Sequence, residues 1–238
     1  MGKIVFTREH PLEKDWTNTL NTLGLDIVHA PLIHCTANDM PKMILNNLHK
    51  ADWVFFTSAV AAECFAPYMR DLNVRIATIG HKTTQSVEDL GHTVDFESVS
   101  QYGVDFVGEW LTLGLSHQTV LLPQSSLSNL IIAQTLKDNG HTALAWAMYD
   151  TKPNKKGQSM IEALCQEKDV IWTFASPSAW ESLIQVREQL PKHHQVAVIG
   201  TTTQQAVMNS HQIVDFMPDT PAIDNMIETI IQNRERGE

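Results

Sequence analysis

The chain contains RIATIGHKTTQSVEDLGHTVDF at residues 75–96 and repeats the pattern as QVAVIGTTTQQAVMNSHQIVDF at residues 195–216. Each copy begins with an apolar run typical of a buried strand, which ends at Ile-Gly. An amphipathic segment follows, and Val-Asp-Phe closes the copy. The offset is 120 residues, both between Gly80 and Gly200 and between the two Val-Asp-Phe tripeptides. A period this long predicts duplicated domains rather than a solenoid of short repeats.

Outward from these copies, short apolar runs alternate with longer segments of helical spacing along the whole chain. The runs are IVFT, DIVH, WVFFT, RIATIG and TVDF, and then TVLLP, ALAWAMY, VIWTF, QVAVIG and IVDF. Further matches between the halves are Phe56, Ser58 and Ala61 with Phe174, Ser176 and Ala179, and Gly24 with Gly140. This alternation predicts an α/β fold with two flavodoxin-like parallel-sheet lobes from a duplicated unit.

Composition excludes several classes of protein. With 238 residues, 43% of them hydrophobic and 18% charged, the chain can bury a sizeable core. A formal net charge of −10 makes nucleic acid and anionic membranes poor partners. No apolar run approaches the roughly 20 residues of a membrane span, and the N-terminal run is too short for a signal peptide. The three cysteines are widely spaced, as in reduced proteins, so we expect a cytoplasmic location.

Small hydroxyl residues follow the predicted strands at their carboxyl ends. The turns read Phe-Thr-Arg at 6–8, Phe-Thr-Ser at 56–58, Ile-Gly-His-Lys-Thr at 79–83, Phe-Ala-Ser-Pro-Ser at 174–178 and Ile-Gly-Thr-Thr-Thr at 199–203. Ligands of open parallel sheets bind at this edge, and the free N–H groups of helix starts suit anions. The alternative is that Ser58, Thr83, Ser178 and Thr203 are only helix N-caps, with Glu181 completing a capping box for Ser178.

Arg8 and Lys82 are the cations of these turns, and each is a candidate for contact with an anion or for simple solvation. Tyr149 ends the run ALAWAMY, where it can anchor the edge of a domain or donate a proton. Motifs for a nucleotide, a metal or a covalent nucleophile are absent from the sequence. The pair His193-His194 has no Cys or acidic partner at ligand spacing, so we expect no metal site there.

Taken together, these turns resemble those of the uroporphyrinogen-III synthase family. The resemblance rests on Thr7-Arg8, ADWVFFTS at 51–58, IATIGHKT at 76–83, TFASPSA at 173–179, VAVIGTTT at 196–203 and Tyr149. It implies two lobes joined by a two-stranded linker, one lobe made of residues 1–33 and 154–238 and the other of residues 34–153. The repeat alone favours one lobe per copy, split near residue 117. In either arrangement we expect the working site between the lobes.

The resemblance also implies a function. The family is a hydro-lyase of haem and sirohaem biosynthesis that closes hydroxymethylbilane into uroporphyrinogen III, with loss of water and inversion of the last pyrrole ring. Tyr149 looks like the family tyrosine that assists departure of the hydroxyl. The residues expected to hold substrate carboxylates are Arg8, Thr57, Ser58, Lys82, Thr83, Gln124, Ser125, Ser176, Ser178, Thr202 and Thr203. No cofactor or metal is expected, and the expected state is a monomer that meets hydroxymethylbilane synthase transiently.

One turn departs from the family pattern. After TVLLP the family often has an Arg-Gly turn with a further Arg, but this chain reads PQSSLSN at residues 123–129. Binding at that end would therefore rest on Gln124, Ser125 and backbone N–H groups. Two alternatives to a synthase share the predicted architecture. One is a two-lobed anion- or tetrapyrrole-binding protein without catalysis, and the other is a flavodoxin-like regulator, which would need an acidic cluster at the strand ends.

Overall fold

The computed structural model describes residues 1–12, 14–70, 72–100 and 102–236, and within them the chain divides into two compact units. Unit 1 contains Met1–His34 and Lys152–Glu238, and unit 2 contains Cys35–Thr151. Both units have a parallel sheet with helices between the strands, which confirms the predicted α/β class. Among the described residues, no helix combines the length and the apolar character needed to cross a membrane.

Most strands and helices alternate along the chain as the apolar runs predict, although residues 33–37 form a strand that no run predicted and that follows the preceding strand with no helix between them. The strands are β1 (Gly2–Phe6), β2 (Leu25–His29), β3 (Ile33–Ala37), β4 (Trp53–Phe56), β5 (Arg75–Ile79), β6 (Phe96–Ser98), β7 (Thr119–Ser125), β8 (Thr142–Pro153), β9 (Val170–Phe174) and β10 (Gln195–Val198). The helices are α1 (Thr17–Thr22), α2 (Lys42–Leu45), α3 (Ala59–Met69), α4 (His81–Asp89), α5 (Gly103–Leu111), α6 (Ile131–Asp138), α7 (Lys155–Gln158), α8 (Ile161–Cys165), α9 (Pro177–Ile184), α10 (Thr201–Asn209) and α11 (Ile223–Glu235). A short 3-10 turn covers Leu48–Lys50.

The sheet of unit 1 has the strand order β10-β9-β1-β2, and each neighbouring pair is parallel. All five residues of β9 are buried, because helices cover both faces of the sheet. One face packs into a core around Trp172, Phe174 and Trp180. The other face packs against Trp16 and the apolar side of α11. The central strands of this sheet are therefore covered on both faces, as expected for a parallel sheet.

The sheet of unit 2 has the order β3-β8-β7-β4-β5-β6. The pairs β8-β7, β7-β4, β4-β5 and β5-β6 are parallel. One face is filled by edge-to-face aromatic contacts of Trp53, Phe55 and Trp110, with ring centres 5.1–6.2 Å apart. On the other face, Phe65 of α3 packs against Phe56 and Trp146. These two cores pack against the two faces of β4, β7 and β8.

The aspartate of the repeated Val-Asp-Phe tripeptide makes the same pair of hydrogen bonds in both units. In unit 2, the Asp95 carboxylate accepts the backbone N–H of Ile76 at 2.8 Å, and the Asp95 N–H donates to the Ile76 carbonyl at 2.9 Å. In unit 1, Asp215 makes the matching pair with Val196, at 2.7 Å through the carboxylate and 2.8 Å through the backbone. The duplication seen in the sequence is therefore also a duplication of hydrogen bonds.

The last strand of each half differs from the prediction. In unit 2 the strand covers Phe96–Ser98 and so includes only the last residue of the run TVDF. In unit 1 the run IVDF forms only an isolated bridge between Ala197 and Phe216. Pro218 follows two residues later, and its missing N–H prevents a ladder from continuing along β10. The prediction of a strand at IVDF was wrong for this reason.

Candidate functional site

Tyr149 and Ser58 meet in unit 2, although 91 residues separate them in the sequence. Tyr149 lies on β8, and Ser58 lies at the start of α3, directly after β4. Their hydroxyl oxygens are 3.1 Å apart. The Ser58 hydroxyl also accepts the backbone N–H of Ala61 at 3.2 Å, so Ser58 is the predicted N-cap of α3. Tyr149 is only 7% exposed, and its phenol is therefore held by specific neighbours rather than by solvent.

A β-bulge in β8 places the Tyr149 side chain on the face of the sheet that carries Ser58. Along β7 and β8, Gln124 pairs with Ala147 but the next residue, Ser125, pairs with Tyr149, so that Met148 is the extra residue. Side chains alternate between the faces of a strand, and an even ladder would put Tyr149 on the face opposite Met148. With the bulge, Trp146, Met148 and Tyr149 share one core. The bulge therefore decides which face carries the phenol.

Other hydroxyl and thiol groups complete this part of unit 2. The Ser125 hydroxyl lies 3.3 Å from that of Thr151 and accepts the backbone N–H of Leu127 at 3.2 Å. The Thr151 hydroxyl lies 3.8 Å from the sulfur of Cys35. We call Tyr149, Ser58, Ser125, Thr151 and Cys35 the tyrosine cluster. Sequence reasoning named the first three and missed Thr151 and Cys35, because neither residue lies in a recognisable motif.

Burial raises the pKa of the Tyr149 phenol above its ordinary value. Hydrogen bonding to Ser58, and to a lesser extent to Ser125, lowers the pKa and opposes burial. The thiols of Cys35 and Cys64 are close enough to raise it further. The net pKa lies above the ordinary value, so Tyr149 keeps its proton at neutral pH. This is the state that a general acid requires.

The remaining candidates of unit 2 follow neighbouring strands at the same edge of the sheet. Thr57 is half-buried between β4 and α3, Gln124 is buried near the end of β7, and Lys82 is exposed in the first turn of α4. Thr83 is only 5% exposed and lies inside α4. The N-cap position belongs to Gly80, whose φ of 76° suits glycine, so the N-cap interpretation of Thr83 was wrong.

The candidates of unit 1 follow β1, β9 and β10, which are neighbours in that sheet. Arg8 is half-buried, and its carbonyl lies 2.9 Å from Nε2 of His29. Ser176 is the N-cap of α9 and accepts the N–H of Ala179 at 3.3 Å. Ser178 instead lies 2.9 Å from the Ser176 hydroxyl, so the capping box expected for Ser178 and Glu181 was wrong. Pro177 explains why the cap is Ser176 rather than Ser178. Proline prefers the first helical position, so the residue directly before Pro177 becomes the N-cap.

The helix start after β10 repeats the arrangement seen after β5. Gly200 occupies the N-cap position of α10, so Thr203 is not a cap either. Thr203 is buried in the first turn and Thr202 is exposed beside it. The two sets of candidates thus lie at the carboxyl edge of their own sheets, one set in each unit.

Unit 1 also has a pocket of about 320 Å³ near the end of β1, which sequence reasoning missed. It is lined by Phe6, Pro11, Leu12, Lys14, Asp15, Trp16, Thr17, Ile27 and His29. The Lys14 ammonium lies 4.1 Å from the centre of the Trp16 ring, a cation–π distance. Apolar and loop residues of this kind carry no motif, so only the folded chain reveals the pocket.

Two hydrogen-bond contacts hold the buried ring of His194 in unit 1. The indole N–H of Trp172 donates to its Nδ1 at 3.1 Å, and its Nε2 lies 2.8 Å from the Glu167 carbonyl. These partners define a neutral imidazole with its proton on Nε2. Within residues 1–12, 14–70, 72–100 and 102–236, no group of three or more His, Cys, Asp and Glu side chains is placed to hold a metal ion.

Comparisons with known proteins all point to one family. A family model described as uroporphyrinogen-III synthase HemD matches residues 14–228. The chain is 23% identical to the uroporphyrinogen-III synthase of Chlorobaculum parvum, over 92% of this chain and 94% of that protein. It is 25% identical to the chloroplastic uroporphyrinogen-III synthase of Oryza sativa subsp. japonica, over 96% of this chain and 80% of that protein. It also matches the porphyrin biosynthesis protein HemD of Ruminiclostridium josui at 22% identity, although the match spans only 48% of that longer relative.

Solved structures share the fold at low sequence identity. The uroporphyrinogen-III synthetase of Helicobacter pylori 26695 aligns with a TM-score of 0.71 at 15% identity, over 98% of this chain and all of that one. A mutant uroporphyrinogen III synthase of Thermus thermophilus aligns with a TM-score of 0.66 at 15% identity, over the full length of both chains. Since the family model covers residues 14–228 of 238, the chain belongs to the uroporphyrinogen-III synthase family.

Proposed function

We propose that this protein is a uroporphyrinogen-III synthase, which converts hydroxymethylbilane into uroporphyrinogen III with loss of water and inversion of the last pyrrole ring. The observation that carries the proposal is the family match over residues 14–228. The site also supports the proposal, because Tyr149 is buried beside Ser58 and keeps the proton that a general acid must donate. The family match favours this function over a two-lobed binding protein without catalysis.

The proposed chemistry begins when the hydroxyl group of the substrate leaves as water. Tyr149 donates its phenolic proton to that hydroxyl, and the electrons of the neighbouring pyrrole expel it. The substituted carbon of the last ring attacks the resulting azafulvene, and the bond from that carbon to its original methylene bridge then breaks. The bridge is recaptured by the unsubstituted α-carbon of the same ring, which loses a proton that balances the one given by Tyr149, and the ring is thereby inverted. The protein's main contribution is to hold the linear chain in the conformation that makes this attack first.

The substrate is a polycarboxylate, so its binding needs donors rather than apolar walls. In unit 2 we propose the side chains of Thr57, Lys82, Thr83, Gln124 and Ser125 for this role, together with backbone N–H groups of the helix start at Ser58. In unit 1 we propose Arg8, Ser176, Ser178, Thr202 and Thr203. Helix starts support the assignment, because their unpaired N–H groups add positive potential without adding charged residues. This matters in a chain whose formal net charge is −10.

Several finer properties are part of the same proposal. The reaction is that of a hydro-lyase and needs no metal or organic cofactor. The protein works as a monomer in the cytoplasm and receives its unstable substrate in transient encounters with hydroxymethylbilane synthase. Residues 1–33 with 154–238, and residues 34–153, fold as separate lobes.

The decisive experiment is isomer analysis of the product. Hydroxymethylbilane generated enzymatically is incubated with and without the protein, and the porphyrins are separated after oxidation. We expect the type III isomer with the protein and the type I isomer without it, since the free substrate closes without inversion. Activity should survive dialysis against chelators. A type I product in the presence of folded protein would reject the function.

A further inference from the structure

Ser58 makes two hydrogen bonds with one hydroxyl group. Its oxygen accepts the N–H of Ala61 at 3.2 Å, and it lies 3.1 Å from the Tyr149 oxygen. A serine hydroxyl carries one hydrogen and two lone pairs. The bond from Ala61 uses one lone pair, so the Tyr149 contact is made either by the Ser58 hydrogen or by the second lone pair. The position of Ser58 at a helix start decides between these two.

The N-terminus of α3 carries the positive end of the helix dipole. A hydroxyl at this position, already accepting an N–H, is polarised toward donation. Donation from Ser58 to the Tyr149 oxygen leaves the phenolic hydrogen directed away from Ser58 and available to another acceptor. Donation in the opposite sense would hold the Tyr149 proton against Ser58, where no substrate atom could take it.

We propose that Ser58 is a positioning residue for Tyr149: it donates its hydroxyl hydrogen to the phenolic oxygen and so presents the Tyr149 proton to the departing hydroxyl group. The catalytic part of this inference rests on the proposed function, whereas the contact itself does not. A donor on the phenolic oxygen also stabilises the negative charge that develops when the proton leaves. It therefore opposes the effect of burial on the acidity of Tyr149.

The duplicated helix start in unit 1 shows what Ser58 would do without Tyr149. Ser176 corresponds to Ser58 and caps α9 through Ala179 in the same way. Its hydroxyl, however, pairs with Ser178, two residues away, at 2.9 Å. The residue that matches Ser178 in unit 2 is Val60, which has no hydroxyl. Ser58 thus lacks the local partner of its counterpart, and the hydroxyl is left for Tyr149.

This comparison supplies a sharp variant, Val60→Ser. It gives Ser58 the neighbour that Ser176 has and diverts the hydroxyl from Tyr149 without removing it. Val60→Ala is the matched control, because it also shortens the side chain but adds no hydroxyl. Ser58→Ala removes the donor, and Ser58→Thr retains it. Asp52→Ala controls for stability, since it deletes a 2.8 Å bond to the Thr119 N–H at the opposite end of β4.

The first measurement needs no substrate. The chain has three tyrosines, and replacing them with 3-fluorotyrosine gives ¹⁹F NMR signals that shift when each phenol ionises. Tyr149→Phe identifies the signal of Tyr149 by its loss. We expect Ser58→Ala and Val60→Ser to move the Tyr149 titration to higher pH. Ser58→Thr, Val60→Ala and Asp52→Ala should leave it in place, and equal titrations in all variants would overturn the proposal.

The second measurement is steady-state kinetics on hydroxymethylbilane. We expect Ser58→Ala and Val60→Ser to lower kcat about five- to tenfold, the effect of one hydrogen bond, with KM changed less than about twofold. In the Tyr149→Phe background the same changes should cost almost nothing. An undiminished loss in that background, or an unchanged kcat despite a shifted titration, would overturn the positioning role. If the parent protein makes no type III isomer, the proposed function fails, while the NMR titration still decides the contact.

Discussion

Tyr149 combines burial with a hydroxyl partner, and its contribution can be tested by removing one oxygen atom. Tyr149→Phe keeps the ring in the core of unit 2 and deletes the proton donor. We expect kcat to fall by up to about 10²- to 10⁴-fold, the range of general acid catalysis. The smaller end applies if the hydroxyl group of the substrate leaves readily without help. Single-turnover rates with freshly made hydroxymethylbilane measure the loss.

The matched control for this prediction is Tyr68→Phe. Tyr68 stacks on Phe65 with ring centres 5.7 Å apart. The change therefore deletes a phenolic oxygen elsewhere in the same unit and leaves Ser58 and Tyr149 unchanged. We expect parental kcat from Tyr68→Phe. Parental turnover in Tyr149→Phe would instead reduce Tyr149 to a packing residue.

Thr83 and Thr84 are adjacent, both buried, and predicted to respond in opposite ways to replacement by valine. The Thr84 hydroxyl lies 2.6 Å from that of Thr78, so Thr84→Val leaves a buried hydroxyl without its partner. We expect it to lower the free energy of unfolding by about 1–3 kcal/mol with little effect on KM. Thr83→Val should raise KM and leave stability nearly unchanged, if Thr83 holds a substrate carboxylate. Urea unfolding and steady-state kinetics on both variants distinguish the two roles, and an unchanged KM in Thr83→Val would remove Thr83 from the site.

The sequence named the individual site residues but not their contacts. Tyr149 and Ser58 were each recognisable from the turns in which they lie, yet the bond between them depends on tertiary structure. The threonine interpretations failed for a local reason. Gly80 and Gly200 adopt the N-cap positions, and a pattern of hydroxyl residues after a strand does not reveal which of them begins the helix.

Among the secondary-structure elements, the aspartates of the repeated tripeptides make a matched pair for mutation. Asp95→Ala and Asp215→Ala each remove a carboxylate that accepts a backbone N–H, from Ile76 and from Val196. Both aspartates are exposed, which limits the loss to about 1 kcal/mol in the free energy of unfolding. We expect similar losses in the two units, measured by urea unfolding.

Asp89→Ala is the control for this pair. The Asp89 carboxylate accepts a hydrogen bond from the Gln85 side chain, one turn earlier on the exposed face of α4. We expect a change within about 0.5 kcal/mol. A loss in Asp89→Ala as large as in Asp95→Ala would show that the tripeptide aspartates have no special part in the fold.

The elements were predictable where the hydrophobic period was strong and unpredictable where pairing was irregular. Continuous apolar runs such as WVFF and VIWTF became strands, because both faces of each sheet are covered. The bulge at Met148 has no such signal, since ALAWAMY reads as an apolar strand with or without an extra residue. The bulge is set by the pairing with β7, which sequence periodicity does not contain.

For the molecule as a whole, two buried histidines predict loss of stability in mild acid, one in each unit. His141 accepts the Gln118 N–H at Nδ1, and His194 accepts the Trp172 indole N–H at Nδ1. Burial lowers the pKa of both imidazoles, and for His141 the nearby His117 lowers it further. The stability that depends on the neutral rings is complete above the unfolded pKa of about 6.5 and is lost as pH falls through the folded values. We expect the urea midpoint to fall steadily from pH 7 to pH 5.

Variants at neighbouring positions separate this effect from general acid sensitivity. His194→Gln should lower stability at pH 7 and partly flatten its dependence on pH, because the His194 share of the proton uptake on unfolding is gone while that of His141 remains. His193→Gln, at the exposed neighbour, should change the slope much less than His194→Gln, because burial is the main cause of the low His194 pKa and His193 a smaller one. An equal slope in all three proteins would assign the acid response to other groups.

The bulge at Met148 has a consequence for how the protein is prepared. β8 can in principle pair evenly with β7, with Ser125 opposite Met148, and the ladder would lose none of its regularity. Such a register would carry the phenol on the opposite face of the sheet, outside the core that Tyr149 fills and away from Ser58. Register is strongly specified where one face of a strand is buried, so the even ladder would lose this burial. Protection of Tyr149 from solvent therefore measures the fraction of correctly paired chains in a sample.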